Sequence, residues 1–305
     1  MAKAGRPLGR RADAARQPPA GEAIPTEAVA RLLRSRCGET PALQRLPAGL
    51  TAAAFAFRHP GADFVIRISH TEAAFGKGAY VSRSFGGPGL PVPQVVETGH
   101  LGPGHAFCIS RRAPGRRLHE LDPEAAERRA GASTSSISAI AATPLGDTAG
   151  FGPFDADGAG AHATWRDFLP AAPGGEWGHA DMATVARMRE AVTALSGGCP
   201  EMRGLVHGDF GSANLICEGD RITAVIDWTL ALHGDPLSEW ANLAFRDEPR
   251  MRPVLARLSP ARALRERLRC YPLRIGPQEI HAAAVQGNPV DHGWLHRRCR
   301  QLLAP

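Results

Sequence analysis

Val206-His207-Gly208-Asp209-Phe210-Gly211-Ser212-Ala213-Asn214, followed later by Ile226-Asp227-Trp228, is the stretch that decides the fold of this 305-residue chain. Between its two halves, the apolar runs Leu215-Ile216-Cys217 and Ile222-Thr223-Ala224-Val225 flank Glu218-Gly219-Asp220, which predicts a β-hairpin. A hairpin sets its outer ends side by side, so Asn214 and Asp227 meet there. One amide and one carboxylate are the hard oxygen donors that Mg²⁺ prefers, with waters and phosphates completing its shell. Asp209, shortly before Asn214, then stands beside the same ion. Each residue alone is an ordinary turn or cap; the set, with His207 and Trp228, points to phosphoryl transfer.

An Asp followed by four residues and an Asn is the spacing of kinase catalytic loops, where the Asp orients the acceptor hydroxyl. Here His207-Gly208-Asp209 stands where protein kinases have His-Arg-Asp, and Asp227-Trp228 replaces Asp-Phe-Gly. The tripeptide Asp209-Phe210-Gly211 belongs to the catalytic loop and not to the metal site. The signature resembles the aminoglycoside phosphotransferase family of small-molecule kinases. His207 is expected to brace the loop.

Upstream, a helix is expected from Thr26 through Leu33, stopped by Gly38. Strands are expected at 52–58 and 63–69 around the turn His59-Pro60-Gly61-Ala62. A helix over 71–85 follows, then the segment Leu90-Pro91-Val92-Pro93-Gln94-Val95-Val96 leading into a strand, and a further strand at 106–110. Arg111-Arg112-Ala113-Pro114-Gly115 then reads as a hinge. The strand Phe64-Val65-Ile66-Arg67-Ile68 offers Arg67 where kinases carry a phosphate-binding lysine. Arginine keeps the charge but differs in shape. Lys77 reads as an exposed helical lysine, and the only nearby acid is Glu72. The nucleotide-covering loop reduces to Gly49 in Leu46-Pro47-Ala48-Gly49-Leu50-Thr51.

The remainder is mostly helical, clearest at 122–142, 182–196 and 236–246, with more between 250 and 303. The Gly/Pro/Asp-rich stretch 146–160 reads as a surface loop. Domain boundaries follow: a disordered basic tail at 1–25, a nucleotide-binding N-lobe at 26–110, and a catalytic and substrate-binding C-lobe at 111–305.

The formal net charge is +6 and the pI about 9.4. Much of the excess sits in the tail, where Lys3, Arg6, Arg10, Arg11 and Arg16 face Asp13. Without a basic stripe elsewhere, nucleic acid is not an expected partner. No apolar run reaches the roughly 18 residues of a membrane span. Six cysteines without a Cys-x-x-Cys pair suit reduced thiols in a cytoplasmic protein. His292, His296 and Cys299 have metal-like spacing but read as surface helix residues. A monomer is expected.

The resemblance extends beyond the catalytic loop to Cys108-Ile109-Ser110-Arg111-Arg112-Ala113, Gly150-Phe151-Gly152-Pro153-Phe154, Thr164-Trp165-Arg166-Asp167-Phe168, residues 221–228, Leu273-Arg274-Ile275-Gly276 and Gly287-Asn288. These stretches are similar to the branch of the family directed at hygromycin B. They imply a mixed α/β (α+β), bilobal protein-kinase-like fold with a small β-rich N-lobe and a larger helical C-lobe. They imply ATP (or GTP) with Mg²⁺, and phosphorylation of a hydroxyl on an aminoglycoside or aminocyclitol antibiotic. Asp209 is then the catalytic base, Asn214 and Asp227 the metal ligands, and Arg67, Gly49, Ser110 and Arg112 the nucleotide contacts, the adenine being held by backbone. Glu239, Glu279 and Asn288 are the expected substrate contacts, although Glu239 equally suits bracing of the catalytic loop.

Two departures bear on substrate: Phe245-Arg246-Asp247-Glu248-Pro249, where that branch is tryptophan-rich, and Gln278-Glu279-Ile280-His281. A polycationic substrate calls for carboxylates, and Asp247, Glu248, Glu279 and Asp291 are the candidates. Two other functions use the same residues: a kinase for another amino sugar or metabolite, and a nucleotide-binding protein without transfer activity.

Overall fold

The computed structural model describes residues 26–47, 52–70, 73–102, 104–175, 177–178, 180–258, 265–286 and 292–304. The basic tail, Gly49, Glu72, Asn288 and Asp291 lie outside the described residues.

The N-terminal part is built on one antiparallel sheet. Helix α1 (Thr26–Cys37) leads into β1 (Gln44–Arg45), β2 (Ala53–His59) and β3 (Ala62–Ser69). Helix α2 (Ala73–Phe85), β4 (Val95–Gly102) and β5 (His105–Arg111) complete it. Strand order is β1-β2-β3-β5-β4. Alternation decides which side chains go inward: Phe55 and Phe57 on β2, Ile66 and Ile68 on β3, Phe107 and Ile109 on β5. Val29 and Leu33, one turn apart on α1, pack among them, both fully buried. Each such side chain contributes about 1.5–3 kcal/mol. Phe75 of α2 packs with Ala106 and Cys108 of β5.

The segment 90–96 leads into a strand as expected, and β4 begins at Val95. Pro91 and Pro93 lack the N–H a ladder needs, so Leu90 makes only an isolated bridge to Gly87.

A short strand, β6 (Arg116–Arg117), joins the next sheet. At the turn before it, Gly115 has φ 107, and a Cβ there would lie 2.0 Å from the Cys217 carbonyl oxygen, so only glycine fits. The predicted helix 122–142 divides into α3 (Pro123–Arg128), capped by Asp122, and α4 (Ala130–Ala141). The stretch 146–160 is not simply a surface loop. It carries β7 (Phe151–Phe154) and the start of β8 (Gly160–His162). Its glycines, prolines and aspartates conceal a hairpin anchored by Phe154, which is buried and stacked on His233 at 4.4 Å.

Helices α5 (Trp165–Phe168) and α6 (Met182–Ser196) follow, then β9 (Gly204–Val206), β10 (Leu215–Glu218), β11 (Arg221–Val225) and β12 (Leu232–Gly234). Strands β11-β10-β6 form one sheet and β8-β7-β12-β9 another. Helices α7 (Leu237–Arg246), α8 (Arg252–Arg257), α9 (Arg265–Gln286) and α10 (His292–Leu302) close the chain. A core of Trp165, Phe168, Met188, Phe245, Tyr271 and Leu295 joins α5, α6, α7, α9 and α10. Cys299, expected at the surface, is fully buried on the inner face of α10. Among the described residues no His/Cys/Asp/Glu group of three or more is placed to hold a metal. None of their helices is long and apolar enough to cross a membrane.

Candidate active site

The hairpin forms as the sequence predicts. Leu215 pairs with Val225 at its open end, and the Ile226 N–H donates to the Asn214 carbonyl at 2.9 Å. Asp227 is therefore the next residue beyond the last hydrogen-bonded pair. Its backbone is left-handed, φ 62, a conformation that costs a non-glycine residue about 1–3 kcal/mol. The following turn holds it: Thr229 Oγ1 donates to Asp227 Oδ1 at 2.8 Å, and Trp228 packs on His207 with ring centres 4.5 Å apart.

The loop from His207 to Asn214 is fixed from both sides. Asp209 N–H donates to His207 Nδ1 at 3.2 Å, which puts the imidazole proton on Nε2, 3.0 Å from the Ile226 carbonyl. His207 is fully buried and ties the loop to the hairpin, the bracing role expected of it. Gly208 has φ 77, and a Cβ would lie 2.3 Å from the Leu230 carbonyl oxygen, which explains glycine before Asp209.

One face of α7 lies along this loop. Glu239 accepts from the N–H groups of His207 (2.6 Å), Gly208 (2.9 Å) and Phe210 (3.3 Å). Asn242, one turn on, donates to the Gly208 carbonyl at 3.4 Å. Arg246, a further turn on, pairs through Nη1 with Asp209 Oδ1 and through Nη2 with Glu279 Oε1 at 2.8 Å. Burial pulls the Arg246 guanidinium down, but the Asp209 and Glu279 carboxylates outweigh it and raise the group above its ordinary range. Glu248 accepts from the N–H of Ser212 at 3.2 Å and from its hydroxyl.

Asp209, Asn214 and Asp227 open on one cavity of about 880 Å³, which Arg67, Lys77, Arg246 and Glu279 also line. Asn214 Nδ2 donates to the Asp209 carbonyl (2.8 Å) and to Asp209 Oδ2 (2.9 Å). That commits its nitrogen and leaves the hard carbonyl oxygen as a ligand. Asp227 keeps Oδ2 beyond the bond from Thr229, so the pair suits Mg²⁺. Elsewhere in the cavity lining, the Arg67 guanidinium lies 5.4 Å from the Phe75 ring centre. Lys77 Nζ donates to the carbonyls of Thr229 (2.9 Å) and Ala231 (3.0 Å), pinning α2 to the turn after Asp227. Burial lowers its pKa to about 8. A second cavity, about 740 Å³ between α2 and β4, contains none of these groups.

A family model described as the phosphotransferase enzyme family matches residues 42–271. This chain belongs to that family. The phosphotransferase is 36% identical to the hygromycin-B 4-O-kinase of Escherichia coli over 292 residues, spanning 90% of this chain and 84% of the other. It superimposes on the crystal structure of the aminoglycoside phosphotransferase APH(4)-Ia with a TM-score of 0.83 at 34% identity, covering 91% and 98% of the two chains. A thermostable mutant of APH(4)-Ia in ternary complex with ADP and hygromycin B gives a TM-score of 0.82 at 35% identity, covering 90% and 98%. The expected bilobal kinase-like α+β architecture is borne out.

Several expected contacts of this phosphotransferase are placed otherwise. Glu239 is buried beneath the catalytic loop with both oxygens committed, and is not on the cavity wall. Ser110 and Arg112 do not line the cavity. The Arg111 N–H donates to Gln94 O (2.8 Å) and the Arg112 N–H to Asp63 O (2.9 Å), so both amides are spent extending the sheet. Lys77 is largely covered and faces the site, contrary to the exposed position expected. Asp247 pairs with the exposed Arg252. Arg246 is a site residue outside the carboxylate candidates; its spacing two turns after Glu239 on the loop-facing side of α7 is the signal that points to it.

Proposed function

We propose that this phosphotransferase moves the γ-phosphoryl group of ATP to a hydroxyl of an aminocyclitol antibiotic, hygromycin B. The observation that carries the proposal is the meeting of Asp209, Asn214 and Asp227 at one cavity. Similarity to a hygromycin-B 4-O-kinase over 90% of this chain and 84% of the other supports the choice of acceptor.

In this reading Asn214 and Asp227 hold Mg²⁺, which when bound neutralises charge on the nucleotide phosphates. Asp209 orients the acceptor hydroxyl and receives its proton as the oxygen bonds to the γ-phosphorus and the bond to the β–γ bridging oxygen breaks, releasing ADP. Its Oδ2 is fixed by Asn214, so the carboxylate needs little reorganisation at the moment of transfer. Arg67 and Lys77 supply positive charge for the phosphates from the N-terminal sheet and α2. Glu239 acts through the backbone, holding the loop that carries Asp209.

Growth of a sensitive bacterium expressing this chain on hygromycin B tests the reading, and protection is the expected result. Failure of a soluble, well-expressed protein to protect would favour a second reading, the same transfer to another amino sugar. One observation speaks for that alternative: Arg246 occupies both Asp209 and Glu279, so the site offers one exchangeable carboxylate, which an amino sugar with a single amine beside its hydroxyl satisfies.

A further inference from the structure

Helix α7 ends in a left-handed turn at Asp247, φ 48, whose carboxylate is gripped by Arg252 Nε and Nη2, both at 2.9 Å. The turn fixes the place of Arg246 at the helix end. From there its guanidinium bridges two elements that are distant in sequence, Asp209 of the catalytic loop and Glu279 of α9. All three side chains line the cavity, and each is only partly exposed, 24% for Arg246 and Glu279 and 30% for Asp209. Glu248, the other carboxylate on this side, is committed to Ser212. Glu279 is therefore the carboxylate that an incoming ammonium would engage beside Asp209, and Arg246 already holds it.

We propose that Arg246 determines acceptor specificity, as an internal cation that an acceptor ammonium must displace from Glu279 before the neighbouring hydroxyl reaches Asp209. The inference rests on the reading above that the acceptor carries amines. The guanidinium is weakly hydrated and sits on a flexible stem at the cavity wall, so it can leave the carboxylates without unpacking the core. An ammonium arriving at Glu279 restores the charge balance that the displaced guanidinium gives up. A neutral acceptor offers nothing in exchange, so its binding leaves the Arg246 bridge in place. The site thereby selects for amines placed beside the reacting hydroxyl, not for positive charge in general.

The test is calorimetric binding of hygromycin B and other amino sugars, each paired with its N-acetylated derivative, to wild type, Arg246→Gln and Glu279→Gln. Removing the internal cation is expected to tighten amine binding roughly five- to tenfold while leaving the acetylated partners unchanged. Glu279→Gln is expected to weaken amine binding and to spare the acetylated compounds, and it decides the matter if Arg246→Gln does not fold. Amine binding that is unchanged or weaker in a folded Arg246→Gln would overturn the proposal, as would an unaltered amine preference in Glu279→Gln. If hygromycin B does not bind but another amine does with this pattern, the hygromycin reading fails and the role of Arg246 stands. No binding of any amine to Arg246→Gln, with both carboxylates released, overturns both.

Discussion

The amide nitrogen of Asn214 donates to two oxygens of Asp209, the backbone carbonyl at 2.8 Å and Oδ2 at 2.9 Å. In the proposed mechanism one side chain thus positions the acid that would meet the acceptor and keeps its carbonyl oxygen for Mg²⁺. Asn214→Asp keeps a hard oxygen but replaces both donated bonds with like-charge repulsion. Its turnover is expected to fall roughly 10²-fold, as for a small misplacement of the catalytic group, while rate still saturates with Mg²⁺. Steady-state rates over a Mg²⁺ titration check this; an unchanged turnover number would show that the contact is incidental.

Glu239 accepts three backbone N–H groups from the catalytic loop. Glu239→Ala leaves them buried without an acceptor, at about 1–3 kcal/mol for each. Urea unfolding is expected to show a loss of at least about 3 kcal/mol, with turnover reduced and acceptor KM little altered. A large KM effect without loss of stability would return Glu239 to the substrate.

Lys77 spends two of its three N–H donors on Thr229 and Ala231, which leaves one for a phosphate oxygen. With its pKa lowered to about 8 by burial, the free enzyme loses this cation as pH rises through that value. Nucleotide binding by wild type is expected to be about tenfold weaker at pH 9 than at pH 7, because the neutral amine must first take up a proton. Lys77→Arg should flatten the dependence. A flat wild-type profile measured by calorimetry would make Lys77 a purely structural tether.

His233 is fully buried against Phe154, and among the described residues neither ring nitrogen has a hydrogen-bond partner. Burial, then Arg203 and Lys77, lower its pKa to about 4. The folded state therefore binds fewer protons than the unfolded chain between about pH 6.5 and 4. Stability is full above the upper value and falls across this window, by on the order of 3 kcal/mol. His233→Phe should remove that part of the slope in urea titrations from pH 7 to 4; parallel curves for the two proteins would contradict it.

The elements read well from sequence are those whose signal is local. The hairpin of β10 and β11 follows from two apolar runs around Glu218-Gly219-Asp220, and α6 occupies 182–196 as its periodicity predicts. The hairpin at 151–162 is hidden from a sequence reading because β12, some eighty residues later, completes its sheet, a pairing no local window contains. Arg246 was missed for a related reason: its partners, Asp209 and Glu279, meet only after α7 and α9 pack. Arg112 lies one residue past β5, and its N–H is taken by the Asp63 carbonyl, a partner some fifty residues earlier that no local window contains.

The most direct test follows phosphorus in a mixture of ATP, Mg²⁺ and hygromycin B by ³¹P NMR, with wild type and with Asp209→Asn. The account predicts a new phosphate monoester on one ring hydroxyl, formed only with Mg²⁺ present, and a rate reduced about 10²–10⁴-fold by the substitution. Equal rates for the two proteins, or ATP consumed without any phosphorylated acceptor, would contradict it.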